Sequence, residues 1–243
     1  MKNTFLLVPS LVIFITLSSC SPVNVLQKTN GVQPLIPSSA EIGGGLKQAL
    51  QKGIEKSADQ LSAVNGFFEN PSIKILFPPQ AQRAEQTLRA FGLNKLCDNV
   101  ILSLNRAAED AAKQAKPIFI NAILHIGLQD VTHILLGPPD AATQFFKRTT
   151  SAQLVLAFKP VIQNSLNKVG AIKFYGDAAM EYNKLPFVSK INPDISDYAT
   201  QKAIDGLFYQ IALEELNIRK NIGARSTPLL QKVFAFADSQ KSH

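Results

Sequence analysis

The chain has 243 residues, of which 46% are hydrophobic and 18% charged, and its formal net charge is +7. This hydrophobic content supports a packed core and excludes a disordered chain. The basic residues are scattered and form no run of five like charges, which argues against nucleic acid as a partner. The surplus of positive charge is typical of a solubilising surface, with attraction to anionic lipid as the alternative.

The N-terminal residues have the pattern of a secretory signal that ends in a cysteine. Lys2 supplies a positive charge, and an apolar stretch follows from Phe5 to Leu17. This stretch is shorter than the roughly 20 apolar residues of a transmembrane helix. The run Leu17-Ser18-Ser19-Cys20 resembles a bacterial lipobox, in which the cysteine receives a diacylglycerol and becomes the first mature residue. The resemblance implies lipidation of Cys20; an ordinary signal peptide with a chance cysteine is the alternative.

These features predict three parts of the chain. Residues 1–19 are predicted to be a lipoprotein-type signal peptide, residues 20–42 a flexible tether, and residues 43–243 one helical domain. The tether is predicted because its proline, asparagine and serine residues show no periodicity. Gly43-Gly44-Gly45 are expected to form a flexible lead into the first helix. The protein is then expected in the bacterial cell envelope, exported, facing the periplasm and held to a membrane by acyl chains on Cys20.

Helical periodicity dominates the remaining sequence. The brief alternation of Ile73-Lys74-Ile75-Leu76-Phe77 is the exception, and it predicts a short extended segment. Because a lone strand is unstable, this segment is expected to pack on helices. The predicted fold class is all-α, a single multi-helix globular domain. The predicted helices begin near Leu46, Pro79, Asp98, Ile118, Asp140, Ala152, Ile172, Asp194 and Pro228.

Several runs in the predicted domain together resemble a known family. Their order and spacing are similar to the bacterial envelope family catalogued as domain of unknown function 4197, over about Ile42 to Phe236. Where that family often has Met-Thr before an Asp-Ala pair, this chain has Ile126-Gly127-Leu128-Gln129-Asp130-Val131. The resemblance implies a helical, lipoprotein-type domain and implies no activity. The most specific runs are Asn105-Arg106-Ala107-Ala108-Glu109 and Ala141-Ala142-Thr143, with Tyr182-Asn183-Lys184-Leu185-Pro186-Phe187 further along.

An alanine-rich helix carries the first group of candidate site residues, Asn105, Arg106 and Glu109. One interpretation is a solvated helix face with ion pairs three or four residues apart. The other is the lining of a polar pocket. In the pocket interpretation a hydrolase-like enzyme would use Glu109 and Asp130 as acid and base, with Arg106 stabilising an anion.

Two further groups of polar residues lie on apolar segments. Asn121, His125 and Gln129 recur every four residues, which predicts either the wet edge of a buried helix or a polar stripe in a pocket for an amphiphilic ligand. Segment 118–136 is the predicted wall of such a pocket. Glu215 and Arg219 are predicted to pair one helical turn apart, with Arg225 and Tyr198 as further members.

The sequence predicts no catalytic residue, no metal site and no cofactor. His125 and His133 are eight residues apart, whereas two histidines that bind one metal from a helix usually lie four apart. There is no Gly-x-Ser-x-Gly nucleophile motif and no phosphate-binding loop. Cys97, with Leu96 and Val100 beside it, is predicted to be a buried and inert thiol.

These observations favour a membrane-anchored envelope domain that is not an enzyme and acts by binding. Its partner is expected to be an apolar ligand held between helices or another envelope protein. Two alternatives are the hydrolase-like enzyme based on Glu109 and Asp130, and a purely structural lipoprotein without a small ligand.

Overall fold

The computed structural model describes residues 36–184, 186–187 and 189–241. The predicted signal peptide and the lipidation at Cys20 lie outside the described residues, as does the tether as far as residue 35. The described residues form nine α-helices and two short 3₁₀ turns without a strand, which confirms the predicted all-α class. The helices are α1 (Ser39–Ser62), α2 (Gln82–Ala90), α3 (Asn94–Ala112), α4 (Ala115–Leu124), α5 (Leu128–Leu136), α6 (Ala141–Lys168), α7 (Ala171–Tyr182), α8 (Ile195–Lys220) and α9 (Pro228–Lys241).

The first helix begins earlier than predicted, because Ser38 caps it. The Ser38 hydroxyl accepts a hydrogen bond from the Glu41 N–H at 3.2 Å, and the Glu41 carboxylate accepts one from the Ser38 N–H at 2.8 Å. This reciprocal capping box satisfies two helix-end donors. Residues 39–42 of the predicted tether therefore belong to α1, and Gly43, Gly44 and Gly45 are helical. A hydrogen bond from Lys232 and the one from the Ser38 N–H lower the pKa of Glu41 to about 2.

The two longest helices, α6 and α8, form the centre of the fold. Helix α6 packs against α3, α4 and α8, and α8 also packs against α1 and α3. Phe119 of α4 lies edge-on to Phe146 of α6 at a ring separation of 5.2 Å and to Phe208 of α8 at 6.0 Å. Edge-on aromatic pairs of this kind stabilise a core beyond their buried area, so this trio ties the three helices together.

The C-terminal half of helix α3 packs closely on its neighbours because alanines make up most of its core face there. Ala107, Ala108, Ala111 and Ala112 are completely buried. Small side chains let neighbouring helices approach closely, as the alanine-rich sequence predicts. Helix α3 accordingly contacts α1, α6 and α8.

Two predicted helix boundaries are wrong. Segment 118–136 is interrupted at His125-Ile126-Gly127, where Gly127 has the extended backbone angles φ −76° and ψ 163°. The break buries Ile126 and starts α5 in a new direction. In contrast, the helix beginning near Asp140 and the one predicted from Ala152 are the single helix α6, which runs without interruption and contains Pro160.

The predicted extended segment lies between the end of α1 and the 3₁₀ turn Pro79–Ala81. Ile73, Ile75 and Phe77 are buried whereas Leu76 is 49% exposed. This alternation is that of an extended chain with one face on the core. As expected, the segment packs on helices, and no strand lies beside it among the described residues.

Alanine substitutions at Gly43 and Gly45 should have opposite effects on stability. A Cβ at Gly43 would meet no atom within 4 Å, whereas a Cβ at Gly45 would lie 2.7 Å from the Cγ2 of the buried Val233. Gly43→Ala should raise the free energy of unfolding by about 0.5–1 kcal/mol, because alanine favours the helix. Gly45→Ala should lower it by about 1–3 kcal/mol through overpacking. Urea denaturation of both variants measures the difference, and equal effects would contradict the packing of α1 on α9.

Candidate functional site

The first candidate cluster lies between α3 and the preceding segment, and Asn105 is its most buried member. Its carboxamide oxygen accepts a hydrogen bond from the Ile75 N–H at 2.8 Å, and its amide nitrogen donates to the Ile75 carbonyl at 2.8 Å. The nitrogen also donates to the Ile101 carbonyl at 2.8 Å. The Asn105 side chain thus pairs with both backbone groups of one residue. It therefore supplies the hydrogen bonds that a neighbouring strand would otherwise provide to the extended segment.

Glu109, one turn further along α3, holds the turn that precedes the extended segment. One carboxylate oxygen accepts hydrogen bonds from the Phe67 N–H at 3.1 Å and the Phe68 N–H at 3.2 Å. The other accepts one from Arg106 at 2.6 Å. Arg106 also donates to the side-chain carbonyl of Asn65 at 2.6 Å. Asn65 adopts a left-handed conformation, with φ 71°, in which asparagine is better tolerated than most residues.

These contacts decide between the two interpretations of this cluster. The predicted ion pair between Arg106 and Glu109 is present, but Glu109 is only 4% exposed and is not part of a solvated face. Both of its oxygens accept hydrogen bonds from protein donors. Among the described residues no hydrogen bond joins Glu109 to Asp130, which lies in the first turn of α5. The geometry therefore provides a buried anchor for the backbone and does not assemble the acid–base pair of the hydrolase hypothesis.

The second cluster combines Glu215 and Arg219 of α8, which pair as predicted at 2.8 Å. The Glu215 carboxylate accepts hydrogen bonds from the N–H groups of Ala142 and Thr143, both at 2.9 Å, and from the Thr143 hydroxyl at 2.8 Å. It therefore caps the N-terminus of α6. Arg219 donates to the carbonyls of Leu135 at 3.0 Å and Ile134 at 2.6 Å, at the C-terminus of α5.

The signs of these charges match the helix ends that they contact. A helix carries partial positive charge at its N-terminus and partial negative charge at its C-terminus. Glu215 contacts the N-terminus of α6, and Arg219 contacts the C-terminus of α5. One buried ion pair thus satisfies the two helix ends on either side of the α5–α6 connection.

Arg225 has the same kind of role at the end of α8. It donates to the carbonyls of Ile218 at 3.1 Å and Arg219 at 2.6 Å, and to the Asp238 carboxylate at 2.8 Å. Its guanidinium also lies over the Phe234 ring, 5.4 Å from the centroid. Arg225 therefore adjoins the Glu215–Arg219 pair, as predicted, and links the end of α8 to α9.

The predicted polar stripe of Asn121, His125 and Gln129 is not a pocket lining. All three residues are exposed, because the chain breaks at 125–127 and places Gln129 on a different helix. The His125 ring nitrogen lies 2.7 Å from the Asn121 carbonyl. Segment 118–136 accordingly contributes little to an enclosed cavity.

Two of the spaces among the described residues differ clearly in size and enclosure. One is a cavity of about 30 Å³ between α1, α6 and α8, with apolar walls apart from Glu215 and Arg219. The other is an open groove of about 400 Å³. One side of this groove consists of segment 72–77 except Ile75, and the other of Tyr198, Lys202 and Tyr209 on α8. We call it the α8 groove. Tyr198 thus lies in this groove, away from Glu215.

The described part of the chain gives little support to a reactive thiol, a metal site or a single membrane-spanning helix. Burial raises the pKa of the Cys97 thiol, which is completely buried as predicted. No three His, Cys, Asp or Glu side chains come together there as a metal-binding group. No single described helix is long and apolar enough to span a membrane. Segments Asn94–Leu124 (α3 and α4) and Leu128–Leu136 (α5), which meet at a bend of 111°, satisfy the same length and composition criteria only when taken together.

Comparison with known proteins agrees with the resemblance in the sequence. The family model described as protein of unknown function (DUF4197) matches residues 37–235. The chain belongs to the DUF4197 family. No curated protein and no solved structure matches it significantly. The run Asn105-Arg106-Ala107-Ala108-Glu109, on which the resemblance rested, is the run that holds segment 65–77 on α3.

Sequence reasoning missed several residues that complete these sites in this DUF4197 chain. The Thr143 hydroxyl donates a hydrogen bond to Glu215. The sequence feature that could have indicated this role is the position of Thr143 just after a predicted helix start. Gly206 lets segment 67–73 approach α8, because a Cβ there would lie 2.6 Å from the Phe67 ring. No local pattern distinguishes Gly206 from an ordinary glycine within a helix.

Asn105→Asp should strongly destabilise the fold, whereas Asn99→Asp on the same helix should not. An aspartate at 105 cannot donate, so its oxygen would face the carbonyls of Ile75 and Ile101. The loss of free energy of unfolding should be about 3 kcal/mol, since a buried unpaired group costs about 1–3 kcal/mol and a charged one more. Asn99 is exposed, and its change should stay within about 0.5 kcal/mol. Chemical denaturation measures both, and equal losses would contradict the pairing of Asn105 with Ile75.

Glu215→Ala should cost about 3–5 kcal/mol of stability, because it leaves the buried Arg219 without its partner. Glu181→Ala is the matched control: its ion pair with Lys184 is about 70% exposed on each side, and exposed pairs contribute about 0–1 kcal/mol. Thermal unfolding followed by circular dichroism compares the two. A Glu215→Ala protein as stable as the Glu181→Ala protein would contradict the double capping by this pair.

Proposed function

We propose that this protein is an exported, lipid-anchored domain of the bacterial cell envelope that binds another envelope protein and is not an enzyme. The proposal rests on a difference between the buried polar side chains, whose hydrogen bonds are made within the fold, and the surface, which has an open groove. The buried polar groups of both clusters bind backbone groups of the fold itself, whereas the α8 groove, of about 400 Å³, is open at the surface.

A protein partner fits this geometry better than an apolar ligand held between helices. Ligand pockets generally enclose about 300–1,000 Å³, and the cavity between α1, α6 and α8 measures about 30 Å³. A cavity of that size holds roughly one or two water molecules. A ligand of lipid size would have to separate α1 from α8, at the expense of the packing around Leu46 and Ile54, both almost completely buried.

The anchor is proposed from the N-terminal sequence. A lipidated Cys20 would restrict the domain to the membrane surface and raise its effective concentration near partners in the same membrane. Binding without catalysis is compatible with this arrangement, because Glu109 and Glu215 already accept hydrogen bonds from protein donors with both oxygens.

The anchoring is tested by cell fractionation of the wild type and Cys20→Ala. The wild type is expected in the membrane fraction, and Cys20→Ala outside it, because the variant lacks the acyl chains. Cys97→Ala is the matched control, since it removes the chain's other cysteine and should leave the protein with the membrane. Equal retention of Cys20→Ala and wild type would contradict lipid anchoring.

The binding role is tested by photocrosslinking in living cells. A photoreactive residue is placed singly at three exposed positions in different parts of the described surface, namely Leu76, Leu128 and Leu156. At least one position should give a discrete product with an envelope protein. If none does, and the purified protein instead carries a mass extractable into organic solvent, binding of an apolar ligand replaces the proposal.

A further inference from the structure

The extended segment has two backbone edges, and they are in different situations. In an extended chain the polar groups of alternate residues point to opposite edges. On the edge containing Ile75, both polar groups of that residue pair with Asn105. On the other edge the Lys74 N–H donates to the Asn70 carbonyl at 2.8 Å. Within the described residues no partner is found for the Lys74 carbonyl or for the N–H and carbonyl of Leu76.

The unpaired edge borders the α8 groove. Lys74 and Leu76, the residues of this edge, line the groove together with Ser72, Ile73 and Phe77. The opposite side is a single helix face, because Tyr198, Lys202, Asp205 and Tyr209 follow one another at spacings of three and four residues. The groove volume of about 400 Å³ lies within the usual range of about 300–1,000 Å³ for binding sites.

We propose that the α8 groove binds an extended peptide segment of the partner protein, which pairs with Leu76 as an added strand and carries an acidic side chain. The inference rests on the proposed function and specifies its binding site. Strand addition of this kind gains affinity from main-chain hydrogen bonds and specificity from side-chain contacts. Leu76, 49% exposed, provides an apolar contact beside those hydrogen bonds.

The charges of the groove favour an acidic peptide. Lys74 lines the groove, and its ammonium lies over the Phe68 ring, 3.9 Å from the centroid. Lys202 lies 3.7 Å from Asp205, and both side chains are about half exposed. The lining therefore contains two cations and one carboxylate. A glutamate or aspartate of the peptide would neutralise the excess positive charge of the groove, whereas a lysine would be repelled by it.

The edge is already fixed in the conformation that a peptide requires. Asn105 holds Ile75, Glu109 holds the turn at Phe67 and Phe68, and Phe67 packs against α8 at Gly206. A binding edge that is rigid before association avoids the entropy loss of ordering a loop. This explains the use of buried polar side chains to hold a segment that forms no regular structure.

The experiment uses the full chain in detergent micelles and an array of acetylated heptapeptides. The peptides alternate valine, isoleucine and threonine around a central glutamate, and a second set has a central lysine. The tightest glutamate peptide is resynthesised with N-methylated amides along one edge. It should bind more tightly than its lysine counterpart and shift the Leu76 amide resonance. N-methylation should weaken it about thirtyfold, because loss of two net hydrogen bonds of about 1 kcal/mol each changes affinity by about that factor.

Two variants sharpen the result. Leu76→Pro removes the N–H of the free edge while a preceding extended Ile75 remains compatible with proline, and it should weaken binding about fivefold, because one hydrogen bond of about 1 kcal/mol is lost. Lys202→Glu should reverse the preference between glutamate and lysine peptides. Lys173→Glu, on α7 and 83% exposed, is the control and should change neither. Absence of binding by any peptide, or binding insensitive to both N-methylation and Lys202→Glu, would overturn the inference.

The crosslinking described above separates this inference from the proposed function. Products from Leu128 or Leu156, but none from Leu76, would leave a binding domain whose partner occupies another face, and the groove assignment would be wrong. No product from any position would contradict the proposed function itself, even where peptides bind in vitro.

Discussion

The fold depends on satisfying backbone groups in places that water does not reach. Helix ends and irregular segments leave N–H and carbonyl groups without helical partners, and each unpaired buried group costs free energy comparable to a lost hydrogen bond. Here Glu215 and Arg219 hydrogen-bond to the backbone on either side of the α5–α6 connection. Arg225 hydrogen-bonds to the last carbonyls of α8, and Asn105 and Glu109 hydrogen-bond to the backbone of segment 65–77. Each is a polar side chain that reaches the backbone of another element, from a helix in four cases and from the connection between α8 and α9 in the case of Arg225.

Charged capping of this type stabilises only as a complete set. A buried ion pair gains little over apolar packing by itself, but removal of one member leaves an uncompensated charge. Glu215 has hydrogen-bond donors from α6 as well as Arg219, and Arg219 has carbonyl acceptors from α5 as well as Glu215. The pair therefore fixes the relative positions of three helices, which two unpaired hydrophobic residues in the same places could not do.

Much of the helical layout could be predicted from the sequence, because apolar periodicity and turn residues are local signals. The pairing of Glu215 with Arg219 followed from their spacing on one helix, and the isolated extended segment followed from its alternation. The partners of these residues could not be predicted, since Ala142 lies more than seventy positions from Glu215 and Ile75 lies thirty from Asn105. The sequence also misplaced the start of α1, because three consecutive glycines suggested flexibility while Ser38 and Glu41 supplied a strong cap.

The residues that identify the family are consequently residues of the fold. Asn105 and Glu109 are in the most specific run of the chain, and their polar atoms bind the backbone of segment 65–77. A polar residue whose hydrogen bonds are complete within the protein has little left to offer a substrate. In the proposed function, recognition uses groups that the fold leaves unpaired, and the free edge at Leu76 is such a group beside an open groove. The buried polar side chains would then contribute to the proposed binding indirectly, by holding in place a backbone edge that a partner can pair with.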